Sequence, residues 1–241
     1  MSVLDLEEAG ERAVETAIAA WQRHLVEPPR TTGNAESRAF IDGIIRSEEG
    51  LNWPRCSAKQ KEYRKDNDFQ WCGAFACHAW RAAGLDGRIA FAYFASTYRL
   101  DCYGRYIRGI DDVATRTAYI AFPKPDTEPR RHLVLDEKST AAQVTKWAPR
   151  PGDILMVTQP KWLPKYKEGS HIAIVEKWHP DTGIFDTIEG NANGFFPDGT
   201  IGQGVIRQHR KVGLALGDGR ETWHARRLIR PSMHDLTGAL A

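Results

Sequence analysis

The sequence predicts an α+β fold with N-terminal helices packed on an antiparallel β-sheet. Three observations lead to this prediction. Apolar residues recur at helical spacing up to Gly84, they alternate with polar residues after Pro151, and short turn segments separate the alternating stretches. Because the helices come first and the strands follow, we expect the helices to lie together on one face of the sheet.

Three helices are predicted in the first part of the chain. The first is ended by Pro28-Pro29, the second begins near Glu36, and the third extends from Trp71 to Gly84, a residue that favours a helix end. The apolar faces of the first two helices consist of large side chains at helical spacing: Val14, Ile18, Trp21 and Leu25, then Phe40, Ile41, Ile44 and Ile45.

The rest of the chain divides into an irregular stretch and a β region. Residues 86–148 show no continuous period, so we predict an irregular insertion that contains one or two short helices. Five strands are predicted after the Pro151-Gly152 turn, at 153–157, 172–178, 184–190, 205–212 and 225–229. We expect these strands to form an antiparallel meander in which residues 180–183 make a hairpin turn.

Bulk composition excludes several classes of function. The 241 residues have a formal net charge of +2, so there is no strong electrostatic case for binding nucleic acid. No apolar run is long enough to cross a bilayer, and the first residues lack the basic start and apolar core of a secretory signal. We therefore expect a protein that is made in the cytosol and binds neither nucleic acid nor membrane.

Cys72 is the residue whose setting says most about chemistry. It stands in the segment 71–75 (WCGAF), where a polar stretch at 65–68 gives way to the third predicted helix. A helix start favours negative charge, which lowers the pKa of a thiol, and its backbone N–H groups can stabilise an oxyanion. Cys72 is therefore the candidate nucleophile of a hydrolase.

His171 and two residues at the end of the next strand are the candidate partners of this thiol. Side chains alternate along a strand, so His171 shares a face with Ala173 and Val175. The hairpin turn brings the start of this strand close to the end of the next one, where Glu189 and Asn191 lie. If that strand is regular, either Glu189 or Asn191 can hold one ring nitrogen of His171 while the other nitrogen faces the thiol.

Four short segments, taken together and in this order, resemble a known family. They are 71–75 (WCGAF), 151–154 (PGDI), 171–175 (HIAIV) and 187–191 (TIEGN). They are similar to the conserved blocks of CHAP-domain proteins, which belong to the papain-like NlpC/P60 superfamily. The resemblance covers roughly residues 36–230 and implies a papain-like fold.

The resemblance also implies a function and a role for each site residue. Members of the family are mostly peptidoglycan hydrolases, which act as N-acetylmuramoyl-L-alanine amidases or as endopeptidases, and no metal or organic cofactor is expected. By position, Cys72 is implied as nucleophile, His171 as general base and then acid, and Glu189 as the residue that orients His171. Asn191 is implied to support His171 or the oxyanion, and it remains the alternative third member.

The domain organisation and the partners follow from the same resemblance. It divides the chain into an N-terminal helical extension at 1–35, a CHAP-like catalytic domain at 36–230 and a C-terminal tail at 231–241. Residues 86–148 are interpreted as an insertion, because the interval between Cys72 and His171 is longer than in compact members. The expected partner is peptidoglycan or its stem peptides. Without a secretory signal, the protein is expected to reach the wall as a phage lysin or as a secreted antibacterial effector, which would have an immunity protein.

Plainer interpretations exist for the same residues. Cys72 can be a buried structural cysteine, His171 a surface or core histidine, Glu189 a solvated charge and Asn191 a turn former. Cys72, His78 and His171 can also be imagined as zinc ligands, although the cysteine spacing matches no paired zinc motif. At the level of function, the alternatives are a thiol amidase or protease with another substrate, and a wall-binding module without catalysis.

Four further residues and one aromatic cluster have weaker signals. Cys56, Cys77 and Cys102 are expected to be small buried apolar residues, although Cys56 and Cys102 can form a disulfide after export. Gln70 is expected at the surface, and the alternative is a side-chain donor to the oxyanion. The aromatic cluster at 91–106 is expected in the core, and the alternative is a platform for sugar rings.

Overall fold

Helices and antiparallel strands together build the part of the chain that the structure describes. The computed structural model of the protein describes residues 6–26, 35–52, 71–84, 132–134, 140–158, 171–211 and 224–230. In chain order the elements are α1 (Leu6–Gln22), α2 (Ala35–Asn52), α3 (Cys72–Ala82), β1 (His132–Val134), α4 (Ala141–Trp147), β2 (Ile154–Thr158), β3 (His171–His179), β4 (Ile184–Phe195), β5 (Ile201–Lys211) and β6 (His224–Ile229). This mixture confirms the predicted α+β class. None of the described helices has both the length and the apolar character needed to cross a bilayer.

The strand order of the sheet differs from the predicted meander at its last strand. The order is β1-β6-β2-β3-β4-β5, and the described pairs are antiparallel. The prediction is right from β2 to β5 but wrong for β6, which pairs with β2. The physical reason is the continuous apolar run of β2, whose residues Ile154–Val157 are all buried. A strand covered on both faces is favoured in the middle of a sheet, where both of its edges are hydrogen-bonded.

Helices cover both faces of the sheet, which corrects the prediction of a single helical face. The first face packs against α1 and α3 through the aliphatic side chains Ile154, Met156, Ile172, Ile174 and Ile188. The second face packs against Val144 and Trp147 of α4 through the side chains Leu155, Val157, Ala173, Val175 and Phe185. Helix α4 confirms a short helix within 86–148, whereas strand β1 in that stretch was not predicted.

Helix α1 packs into the same core as α3. Its small residues Ala9, Ala13 and Ala17 are buried there. At Gly10 an added Cβ would lie 2.3 Å from the Pro151 carbonyl oxygen, so glycine lets the helix touch the turn before β2. The helix ends at Gln22 and His24 has φ 53°, so Leu25 is buried beyond the helix and not on its face as predicted. The predicted domain boundaries at 35/36 and 230/231 stay predictions.

Candidate active site

Two backbone N–H groups, one from the first turn of α3 and one from β3, contact the Cys72 sulfur. Helix α3 begins at Cys72, and Trp71 precedes it without a side-chain cap. The N–H groups of a first helical turn have no acceptor within the helix. The N–H of Gly73 in this turn and the N–H of Ile172 on β3 make hydrogen bonds with the Cys72 sulfur. The sulfur therefore lies where negative charge is stabilised.

Gly190 lets this helix start come close to the sheet. A Cβ added at Gly190 would lie 2.6 Å from Phe75 Cβ and 2.6 Å from the Trp71 ring. Since packed side chains cannot approach so closely, any larger residue at this position would push α3 away from β4. Gly190 thus sets the distance between the start of α3 and the strand that carries Glu189.

His171, the first residue of β3, links the thiol to a carboxylate. Its ring is hydrogen-bonded to Cys72 on one side. On the other side, His171 Nε2 is 2.8 Å from Glu189 Oε2. Since Nε2 is bound to Glu189, Nδ1 is the ring nitrogen that remains for the sulfur. The structure thus brings Cys72, His171 and Glu189 together in one connected row.

A β-bulge in β3 puts Glu189 and His171 on the same face. The β3–β4 register shifts by one residue between Val175 and Lys177. If the register of the hairpin continued without this shift, Glu189 would lie opposite Ile174, which packs against the helices on the other face. A slip of one residue exchanges the two faces of a strand. The bulge therefore decides that the carboxylate meets the imidazole.

The Glu189 carboxylate is buried and well supplied with donors. Among the described residues, four hydrogen bonds reach it from Thr187, His171 and Arg210. Oε1 accepts from Thr187 Oγ1 at 2.6 Å and from Arg210 Nε at 2.8 Å, and Oε2 accepts from Arg210 and His171. The Glu189 side chain is 0% exposed and that of Arg210 is 11% exposed. Because these donors favour the charged form, Glu189 is ionised.

Electrostatics favour an ion pair between Cys72 and His171. Burial would raise the pKa of the Cys72 thiol, but the charge and hydrogen bond of His171 and two backbone N–H groups hold it below its usual value. Burial would lower the pKa of His171, but the charge of Cys72 and hydrogen bonds with Cys72 and Glu189 raise it to about 9. Burial would raise the pKa of Glu189, but Arg210 and His171 hold it far below its usual value. The charges along the row from Cys72 through His171 and Glu189 to Arg210 therefore alternate in sign: thiolate, imidazolium, carboxylate and guanidinium.

Asn191 lies beyond Glu189 on β4 in a different backbone setting. The β4–β5 register shifts between Glu189 and Ala192, and Asn191 has φ 57°. The strand is thus not regular to its end, and simple alternation does not carry from Glu189 to Asn191. The Asn191 Oδ1 accepts a hydrogen bond from Gln203 Nε2 at 2.9 Å. A role for Asn191 beside His171 or at the oxyanion stays a prediction.

Two residues of the site were not assigned from the sequence. Thr187 and Arg210 both donate to Glu189. The available signal was an arginine on the predicted strand 205–212, since a buried carboxylate needs a partner of opposite charge. The sequence holds two arginines on that strand, Arg207 and Arg210, and alternation alone does not say which one turns toward Glu189.

Two other candidates, Cys77 and His78, lie further along α3. Cys77 is buried in the core, as predicted. His78 contacts Phe40, with ring centroids 5.3 Å apart. Within the described ranges, no group of three or more His, Cys, Asp or Glu side chains could hold a metal ion. Several predicted positions fall outside the described residues: Cys56, Gln70, Cys102 and the aromatic cluster at 91–106.

Comparison with known proteins adds no relative to this geometry. No protein-family model, no curated protein and no solved structure matches the chain. The inference about function therefore rests on the arrangement of Cys72, His171 and Glu189 and on the resemblance of four short sequence segments.

Proposed function

We propose that this protein is a cysteine hydrolase of papain-like type. In this proposal Cys72 is the nucleophile, His171 the general base and acid, and Glu189 the residue that orients His171. The observation that carries it is the hydrogen bond of the Cys72 sulfur, at the start of α3, with the His171 imidazole, whose far side binds a carboxylate. A nucleophile on the first residue of a helix, with its base on a strand of the sheet below, also supports the papain-like comparison.

The proposed reaction is acyl transfer through the sulfur. The Cys72 thiolate attacks the carbonyl carbon of an amide, and N–H groups in the first turn of α3 stabilise the oxyanion. The His171 imidazolium gives its proton to the leaving amine as the C–N bond breaks. Neutral His171 then takes a proton from water, whose oxygen adds to the thioester. The acid leaves, and the thiolate and imidazolium are restored.

The proposed substrate is an amide bond of bacterial peptidoglycan. This part is supported by the four segments that resemble CHAP-domain proteins in sequence and in order. The bond would be the N-acetylmuramoyl-L-alanine amide or a peptide bond of the stem or cross-bridge. The protein would reach the wall as a phage lysin or as a secreted effector, and an effector would have an immunity protein as partner.

The proposal requires access to a nearly enclosed sulfur. Cys72 is 3% exposed and His171 is 4% exposed. Access of a substrate carbonyl to these two side chains is therefore narrow in this structure. The rate at which a small reagent alkylates Cys72 in the folded protein measures both this access and the activation of the thiol.

Digestion of purified sacculi tests the proposal. The wild type should release soluble muropeptides, and mass spectrometry of their new ends identifies the bond. Cys72→Ala should lower the rate by at least about 10³-fold because no nucleophile remains. Cys77→Ala is the matched control, since Cys77 lies in the same helix and is also buried. It should keep the wild-type rate.

Three results would contradict parts of the proposal. Full activity of Cys72→Ala would reject the mechanism. Cleavage of small amides or proteins with intact sacculi would keep the mechanism and reject the substrate. Binding of the wild type to sacculi without any cleavage would indicate a wall-binding module.

Delivery of the protein to two compartments tests an effector role. Wall cleavage should make the protein toxic in the periplasm, where peptidoglycan lies, and harmless in the cytosol. Cys72→Ala should remove the periplasmic toxicity. Equal toxicity in both compartments would argue against the wall as the target.

A further inference from the structure

We propose that Arg210 is a positioning residue of this site, which holds Glu189 as a carboxylate so that His171 and Cys72 keep their ion pair at acidic pH. The inference rests on the proposed cysteine-hydrolase function. Arg210 lies on β5, outside the four segments that resemble the CHAP family. Because Arg210 is bound to Glu189, it would act through that carboxylate.

The geometry of Arg210 is that of a two-point clamp on the carboxylate. Arg210 Nε donates to Glu189 Oε1 at 2.8 Å, and its terminal Nη2 donates to Oε2. A guanidinium bound in this way fixes the plane of the carboxylate as well as its charge. Since His171 Nε2 shares Oε2, the clamp also sets the direction from which the imidazole is held.

The charge balance of the site gives Arg210 a second effect. Among the described residues, the groups that face Glu189 are His171 from β3, Arg210 from β5 and Thr187 from its own strand. Cys72 from α3 lies on the other side of His171. Without Arg210, one imidazolium would lie between two buried anions. Such a site favours a protonated thiol or a protonated carboxylate as pH falls. The first change ends the ion pair directly, and the second weakens it because the imidazolium loses a stabilising anion.

A second arginine on the same strand provides a matched control. Arg207 Nε donates to Glu176 Oε2 at 2.7 Å, and Arg207 Nη2 donates to Oε1 at 2.6 Å. This pair has the same two-point geometry, but the Arg207 side chain is exposed and its partner does not contact His171 in the described structure. Loss of Arg207 therefore removes an arginine–glutamate pair of the same kind without touching the row from Cys72 to Glu189.

The experiment measures the rate of Cys72 alkylation by iodoacetamide against pH in the full-length protein. The modified peptide is quantified by mass spectrometry, and no substrate is needed. As pH falls, the thiolate is protonated and the alkylation rate drops; this drop is the acidic limb. We expect Arg210→Met to move the acidic limb to higher pH by about 1–3 pH units, the usual effect of one neighbouring charge. Arg210→Lys keeps the charge without the fork and should shift the limb less. Arg207→Met should leave it in place.

The outcomes separate this inference from the proposed function. A wild-type Cys72 that reacts as an ordinary thiol, with its limb near about pH 8.5, would overturn the proposed function. An activated wild-type Cys72 with an unchanged limb in Arg210→Met would overturn the role of Arg210 alone. A merely structural role would lower the thermal midpoint without moving the limb. If Arg210→Met fails to fold, Arg210→Gln takes its place, and an unchanged limb in that uncharged variant would overturn the inference.

Discussion

Strand β4 carries two carboxylates that each bind histidine, and they lie on opposite faces of the strand. Glu189 binds His171 on the face that α4 covers further along the sheet. Asp186, three residues earlier, binds His179 Nε2 at 2.7 Å and, through its other oxygen, His209 Nδ1 at 2.7 Å. The two clusters contain the same kind of hydrogen bond, so their difference shows what else a reactive site needs.

The two clusters differ in how deeply the carboxylate is buried and in the group that lies on the other side of the imidazole. The Glu189 side chain is completely enclosed, whereas the Asp186 side chain is 13% exposed and that of His209 is 73% exposed. Burial acts to raise the pKa of Asp186, but its hydrogen bonds with His179 and His209 lower it. Among the described residues, only the Glu189 cluster continues through its imidazole to a thiol. A carboxylate can hold the ring of a histidine in one orientation in either cluster. The oriented ring becomes a catalytic base only where it also contacts a thiol at a helix start.

Removing one histidine from each cluster should give the largest difference in the rate of hydrolysis. His171→Ala should lower the rate of muropeptide release by about 10²–10⁴-fold, the usual contribution of a general acid–base. His179→Ala should keep the rate within about twofold, because its ring is bound to Asp186 on the other face. Both variants are assayed on the same sacculi. Equal losses would mean that the Glu189 face has no special role.

Replacing the carboxylate of each cluster by an amide should give the next largest difference between the clusters. Glu189→Gln should lower the rate by about 10²-fold or more, since the amide no longer fixes the tautomer of His171. It should also lower the free energy of unfolding by about 3–5 kcal/mol, because Arg210 remains in a buried site without its anion. Asp186→Asn should lower it by about 1 kcal/mol or less. Urea denaturation measures both variants, and similar losses would contradict the contrast in burial.

The pH dependence of hydrolysis should carry the signature of one cluster only. The pKa of His171 is raised to about 9, and its protonated form supplies the proton for the leaving amine. Activity should therefore fall as pH rises through about 9, by about tenfold for each further pH unit. Asp186→Asn should show the same alkaline limb as the wild type. A limb near about pH 6.5 would mean that His171 does not gain its proton from the pair with Cys72.

A substitution at Gly190 should disturb the Glu189 cluster by a smaller amount. Gly190→Ala should lower the free energy of unfolding by about 1–3 kcal/mol, since the new Cβ meets Phe75 and Trp71. The same displacement of α3 should slow Cys72 alkylation. Gly43→Ala is the control, because a Cβ added there meets no atom within 4 Å. Since Gly43 lies within helix α2, this change should raise the free energy of unfolding, by about 1 kcal/mol at most. An unchanged alkylation rate in Gly190→Ala would mean that the close packing does not position the sulfur.

Much of the candidate site could be predicted because its signals are local in the chain. Cys72 stands at the change from a polar stretch to a helical period, and helix α3 begins at that residue. His171 begins an alternating strand, and Glu189 lies near the end of the next strand after a short turn. Helix periodicity, strand alternation and turn residues each depend on neighbours a few positions away, so a single sequence contains them.

The alignment of these parts could not be predicted in the same way. If the β3–β4 register next to the hairpin turn continued without a shift, Glu189 would lie on the face away from His171. The bulge between Val175 and Lys177 reverses this. The bulge is consistent with core packing, because Val175 and Trp178 then pack in the same cluster although they are an odd number of residues apart. Such a choice depends on what covers each face, which no local pattern records.

The sequence by itself determined the α+β class, the helix that begins with a thiol, and the two strands that carry an imidazole and a carboxylate. Only the tertiary structure decided that β6 returns to β2, that the β-bulge turns Glu189 toward His171, and that Arg210 clamps that carboxylate. The reason is physical. Local periods fix which side chains share a face of one element, whereas pairing between elements is decided by the burial of whole faces and by the partners that buried charges require.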